Sequence, residues 1–144
     1  MLFLQTNLTA QAPVYGLEGW AATTVGGQGG NIIRVTNLNA SGAGSLKDAL
    51  LQTGNRIIVF EVGGTINLNG QTLSIKQPHV TIAGQTAPSP GINLINGAIF
   101  IQTHDVILQH IRMRVGAATQ SMGWEKDGIS TYIANNIAID HCSV

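Results

Sequence analysis

A pair of short apolar strands recurs down the second half of this chain, and that recurrence limits what the chain can fold into. LSI at 73–75 is followed by VTI at 80–82, IFI at 99–101 by VIL at 106–108, and GIS at 128–130 by IAI at 137–139. Aligning the second strand of each pair puts Val80, Val106 and Ile137 in one column and Ile82, Leu108 and Ile139 in another. A polar residue stands just before each: His79, Asp105 and Asn136, spaced 26 and then 31 residues apart. Internal repetition at such a period is the mark of a solenoid, in which each unit buries its apolar face only by stacking on the next. Strand side chains alternate between faces, so Val80 and Ile82 are expected to point inward and Thr81 outward.

The uneven spacing falls between strands, where loops can lengthen. Leucine-rich and ankyrin repeats have similar periods but need a Leu-spaced or helical signature that this sequence lacks. One or two short strands of small aliphatics per repeat, with no helix, fit a coil of parallel strands. An antiparallel sandwich is the alternative, and it requires tight hairpins. The only Asn-Gly dipeptides, Asn69-Gly70 and Asn96-Gly97, are weak candidates for one.

Upstream of the repeat the signals change. Residues 13–30 are Gly-rich and mixed, which suggests an ordered coil. IIRV at 32–35 reads as a strand. A turn cluster from Asn37 to Gly44 then leads to Ser45 with Asp48 three residues on, a capping-box spacing. Leu46, Ala49 and Leu50 fall on one face of the predicted short helix near 45–53, and Gly54 supplies a stop. Such a helix has the shape to plug the open N-terminal end of a solenoid. RIIVFEV (56–62) and GTINL (64–68) read as further strands.

Composition excludes several classes. Hydrophobic residues make up 44% and charged residues 10% of the 144, with 18 Gly and 5% aromatics. A chain with this much apolar surface and so little charge is not a solvated, disordered polymer. The formal net charge is zero and there is no basic stripe, so nucleic acid has no electrostatic footprint. No apolar run reaches the ~20 residues of a membrane-spanning helix. A single cysteine, Cys142, excludes an internal disulfide. Residues 1–12 read as a leader or the remnant of a signal peptide, lacking a basic n-region, and 13–144 as one β-helix domain.

The blocks GLEGWAATTVGGQGG (16–30), VTNLNASGAGSLKDAL (35–50), RIIVFEVGGTI (56–66), VTIAGQTAPSPGI (80–92), VILQHIRMRVG (106–116) and IAIDHCS (137–143) cover most of the chain after Gly16. Together, and in this order, they resemble the N-terminal part of pectate lyases of polysaccharide lyase family 1. The resemblance implies an all-β, right-handed parallel β-helix, secretion, and Ca²⁺-dependent cleavage of pectate by β-elimination. In that chemistry Ca²⁺ on the uronate carboxylate stabilises the carbanion formed when an arginine removes the neighbouring proton.

Carried over by position, the resemblance implies Asp127 as a calcium ligand and Glu125 as a second, in the stretch Glu125-Lys126-Asp127 before Gly128-Ile-Ser. Oxygen ligands suit Ca²⁺, which takes six to eight of them. An exposed loop carrying solvated charges is the other reading of this stretch. The remaining carboxylates and the arginine base would lie beyond Val144, so no catalytic residue is assigned and the chain alone is expected to be inactive.

Other chemistry is weaker. Arg112 and Arg114 alternate on one face of a strand, and pairing with Asp127 or Asp140 is expected of them, although uronate carboxylates would also suit. Asp140-His141-Cys142-Ser143 contains nucleophile and base types. Strand neighbours point to opposite faces and cannot form a triad, so a structural turn with a hydrogen-bonded His141 is expected. The histidines, at 79, 104, 110 and 141, show no HExxH or other metal spacing. The Asn-Thr-Asp and Asp-Asp strings of polygalacturonases are absent. A non-catalytic β-helical module is the competing reading. Its uncapped C-terminal turn would be covered by another copy, giving a homo-oligomer through residues 128–144.

Overall fold

The computed structural model describes residues 17, 19–116 and 127–144. The leader reading of 1–12 and the expectation for Glu125 lie outside the described residues. Among the described residues eleven short strands and one α-helix make up the fold: β1 (Asn31–Val35), α1 (Leu46–Leu51), β2 (Arg56–Phe60), β3 (Gly64–Asn67), β4 (Thr72–Ile75), β5 (Val80–Ala83), β6 (Ile92–Ile95), β7 (Ala98–Ile101), β8 (His104–Gln109), β9 (Ile111–Arg114), β10 (Ile129–Thr131) and β11 (Asn135–Asp140). They form three parallel sheets: A, ordered β1-β2-β5-β8-β11; B, β3-β6-β9; and C, β4-β7-β10. The chain visits A, B and C in rotation, which makes a right-handed parallel β-helix. Each full turn therefore carries three strands, where the repeat pattern suggested one or two. The strand missing from that pattern in the second turn is β6, INLI, which follows directly on Pro90-Gly91.

The aligned columns are the observed register. Val80 pairs with Val106, which pairs with Ile137; Ile82 pairs with Leu108, which pairs with Ile139. Val80, Ile82, Val106 and Leu108 are all at most 2% exposed, and with Ile66, Leu73, Ile75, Leu94, Ile101 and Met113 they fill the interior. Each such aliphatic side chain contributes about 1.5–3 kcal/mol by leaving water. The two Asn-Gly sites form corners between parallel strands of sheets B and C, so the sandwich reading does not hold.

The helix forms as its cap spacing requires, ending at Leu51. The Ser45 hydroxyl accepts from the Asp48 N–H at 3.2 Å, while the Asp48 carboxylate accepts from the Gly44 N–H at 3.3 Å. Leu46, Ala49 and Leu50 are buried against the first turn. Leu46 and Leu50 face Leu73, Ile75 and Ile82 across a gap of about 10 Å³. Arg56 closes the other end of the helix. Fully buried, it donates from Nη2 to the carbonyls of Leu50 and Gln77, and from Nη1 to those of Gly54 and Pro78.

The Gly-rich segment lies over the outer face of sheet A. The Gly27 N–H donates to Thr81 Oγ1 at 3.0 Å, and a Cβ on Gly27 would collide with the carbonyl of Arg56. This cover explains why outward-facing Ile57 and Ile107 are nonetheless buried. At the far edge, β11 has a partner on one side only, and Ile139 is 47% exposed. Among the described residues no helix is long and apolar enough to cross a membrane, which does not bear on β-barrels.

The corners differ in kind. From C to A the links are short: residues 76–79, 102–103 and 132–134. From B to C they are 68–71 and 96–97, and the third connection, between Arg114 and Ile129, lies largely outside the described residues. From A to B the third link is the single residue His110. The tight corners use left-handed backbone: φ is +56° at His79, +53° at Asp105, +51° at Asn136, +53° at His110 and +52° at His141. Asn, Asp and His tolerate this region better than most L-residues. His79, just before β5, and Asp105 and Asn136, second residues of β8 and β11, thus turn the chain as it enters sheet A.

Candidate functional site

Asp127 stands at the end of the long B-to-C link, one residue before buried Gly128, and two before β10. A Cβ on Gly128 would press into Val144 and Met113, so only glycine lets the chain enter the last rung here. Asp127 is exposed, and its Oδ2 accepts from the Ser130 hydroxyl at 3.3 Å. That short loop bond presents one carboxylate to solvent beside the outer face of sheet C. Asp127 belongs to no cluster of three or more metal-binding groups among the described residues. One carboxylate does not make a Ca²⁺ coordination sphere.

Arg112 and Arg114 lie on the outer face of β9, both exposed. Among the described residues neither reaches a carboxylate. Arg112 Nη2 donates to the Pro90 carbonyl at 2.7 Å; Arg114 donates to the carbonyls of Met113 and Ser143 and to Ser143 Oγ. The expected pairing with Asp127 or Asp140 is therefore corrected. The two guanidiniums face out from sheet B, whereas Asp140 is held at the end of sheet A. There Asp140 Oδ2 accepts from Gln109 Nε2 at 3.0 Å, and Oδ1 accepts from His141 Nδ1 at 2.7 Å. The Gln109 bond foremost, then His141, holds the Asp140 carboxyl below the usual carboxylate range. His141 also stacks on His110 one turn below, with ring centroids 4.8 Å apart. The DHCS stretch is thus the structural turn expected of it. Burial pushes the Cys142 thiol up, away from the thiolate a nucleophile needs.

The described residues contain one three-membered cluster of metal-ligating groups, and sequence spacing did not reveal it: His79, His104 and Asp105, with candidate ligand atoms all within 4.8 Å of one another. It sits where two successive turns enter sheet A, with His79 just before β5 and His104 and Asp105 opening β8. His104 Nδ1 lies 2.8 Å from Asp105 Oδ2, and His79 Nδ1 lies 4.0 Å from the same oxygen. The two rings meet edge to face at 5.2 Å. Asp105 is 9% exposed, and its carboxyl is held below the usual range, first by the His104 hydrogen bond. The only signal that could have found the cluster is the column that aligns His79 with Asp105.

Comparison with known proteins follows the same lines. The chain is 44% identical over 145 residues to probable pectate lyase C of Emericella nidulans, covering 100% of this chain and 33% of that protein. It is 42% identical to probable pectate lyase C of Aspergillus fumigatus over 138 residues, covering 95% and 31%. The chain is a homologue of part of pectate lyase C. It spans about a third of the length of these curated relatives. Among solved structures, the cedar-pollen allergen jun a 1 superimposes with a TM-score of 0.66 at 26% identity, over 85% of this chain and 40% of the allergen. No family model matches. The match to pectate lyase C of Emericella nidulans spans the whole of this chain.

Proposed function

We propose that this chain forms the early turns of a secreted pectate-lyase-type β-helix, whose full-length form cleaves pectate by Ca²⁺-dependent β-elimination. The observation that carries the reading is 44% identity to a pectate lyase C along the whole chain. Asp127, exposed at the mouth of the last turn, contributes one calcium carboxylate, with Glu125 as its neighbour in the ligand set. Exposed Arg112 and Arg114, which no carboxylate among the described residues neutralises, favour an acidic polysaccharide along this surface. The ligand set is completed only by turns further along such a protein, so the 144 residues alone leave pectate intact.

A chimera tests this. These residues replace the matching third of the Emericella nidulans protein, and unsaturated product is followed by absorbance with polygalacturonate and Ca²⁺. Expected are turnover by the chimera, at least about a tenfold loss with Asp127→Ala, and no turnover by the 144 residues alone. A well-folded chimera without activity beside an active parent would sink the proposal, as would activity indifferent to Asp127→Ala.

A second reading concerns the 144-residue chain by itself, as a non-catalytic β-helical module. The unpaired edge of β11, with Ile139 at 47% and Val144 at 69% exposure, favours cover by a second copy through residues 128–144. Light scattering on the isolated chain should give a homo-oligomer; a stable monomer removes this reading.

A further inference from the structure

We propose that His79, His104 and Asp105 form a binding site for a divalent transition-metal ion, with Zn²⁺ as the reference ion, on the corner between sheets C and A. The donor set is two imidazole nitrogens and one carboxylate oxygen. Zn²⁺ takes such three-residue sets with its fourth position open to water. Calcium, which requires many oxygens, does not suit them. This corner is distinct from Asp127, which precedes sheet C.

The fold creates the juxtaposition. His79 and Asp105 occupy equivalent corner positions on successive turns, and both have left-handed backbone. Stacked positions in a parallel sheet lie one strand spacing apart, about 4.8 Å. His104, immediately before Asp105, brings the second ring to the same oxygen. Tetrahedral Zn²⁺ with bonds of about 2.0–2.1 Å holds neighbouring ligand atoms about 3.3 Å apart. The two separations to Asp105 Oδ2, 2.8 and 4.0 Å, straddle that value, and all three ligand atoms lie within 4.8 Å of one another, so side-chain rotations can close the set.

Two features point to a ligand beyond the pair His104–Asp105. The buried His79 Nδ1 has no hydrogen-bond partner, yet it is aimed at Asp105 Oδ2 from 4.0 Å. A buried imidazole nitrogen without a partner is costly unless something binds it. The other carboxylate oxygen has a neighbour of its own: Asn136 Nδ2 lies 3.5 Å from Asp105 Oδ1. Metal-bound carboxylates and imidazoles are oriented by such outer partners. Both rings remain partly exposed, so an ion reaches them from solvent. The C-to-A corner is also short at every turn, and a site on such an element keeps its geometry.

The test uses the untagged 144-residue chain, stripped with chelator and titrated with Zn²⁺ in competition with a chromophoric chelator. Co²⁺ in place of Zn²⁺ reports the ligand field through its visible bands. One ion per chain is expected, unaffected by a large excess of Ca²⁺. His79→Asn, His104→Gln and Asp105→Asn should each weaken binding at least about tenfold, while His141→Gln, at the other histidine pair, changes it less than twofold. Asn tolerates the left-handed backbone at 79 and 105. His104→Gln alters a half-exposed ring and decides the matter if either other variant unfolds. No binding overturns the proposal, as does binding that His104→Gln leaves intact or that His141→Gln removes equally.

Discussion

Removing the Arg56 guanidinium should damage this fold more than its place at the start of an ordinary-looking strand suggests. Arg56 is 0% exposed and has no carboxylate partner; its four hydrogen bonds go to the carbonyls of Leu50, Gly54, Gln77 and Pro78. It therefore ties the last turn of α1 to the first C-to-A corner. Burial lowers its pKa from the usual guanidinium value, but an arginine stays charged in a protein. Its Nε has no partner, so part of the desolvation cost stays uncompensated. Each bond from a charged donor contributes about 1.5–3 kcal/mol net, against several kcal/mol for burying the ion.

Truncation to Ala removes the donors and leaves carbonyls behind, each costing about 1–3 kcal/mol where water cannot follow. We expect Arg56→Ala to destabilise by about 3–5 kcal/mol, a fall in melting temperature of at least about 6 °C. Arg56→Met separates the causes, since it keeps apolar volume and supplies no donor. If the carbonyls dominate, Met costs nearly as much as Ala. Urea unfolding followed by far-UV circular dichroism, compared at equal slope, reads the difference. An Arg56→Met variant as stable as the parent would refute the reasoning, because it would show that the buried charge cost as much as its bonds returned.

Further predictions are smaller in scope. Gly27→Ala should cost at least about 2 kcal/mol by thermal melting, since its Cβ collides with the Arg56 carbonyl and the coil must lift from sheet A. Ile133 has φ +49° and is 82% exposed, a strained setting for a β-branched residue. Ile133→Asn should therefore raise stability by about 1 kcal/mol in the same assay. The Asp140 carboxyl has a lowered folded pKa, so its contribution is present above the ordinary aspartate value of 3.8 and is lost as pH falls through and below it. Between about pH 5 and 3, melting temperature should drop more steeply in the parent than in Asp140→Asn; parallel curves would dismiss the Gln109–Asp140–His141 linkage.

The inward columns were legible because alternation and repetition coincide there: Val80, Val106 and Ile137 differ little in chemistry and recur behind the same kind of corner residue. The helix was legible from Ser45 and Asp48, whose hydrogen bonds are local. Strand β6 was not, because four residues after Pro90-Gly91 carry no periodicity of their own. The partners of Arg112 and Arg114 were misread since charge alone does not say which sheet an acid faces. Arg56 and the His79–His104–Asp105 cluster depend on contacts between turns. In such contacts residues more than twenty apart become neighbours, and no local spacing encodes them. The Asp127 reading came from likeness to pectate lyases; the structure locates the residue without completing its ligand set.

The one-residue corner at His110 bears on how this architecture tolerates change. Adding a residue there would throw every later side chain of sheet B onto the wrong face, because a strand has period two. Length added between β9 and β10 enters a connection already longer than its counterparts at 68–71 and 96–97. The A-to-B links also vary, from 84–91 down to His110 alone, whereas the C-to-A links stay short at every turn. Asp127 follows the longest B-to-C connection, and the histidine cluster lies where the C-to-A links enter sheet A. Insertions in relatives should therefore reshape the surroundings of Asp127 long before they disturb His79, His104 and Asp105.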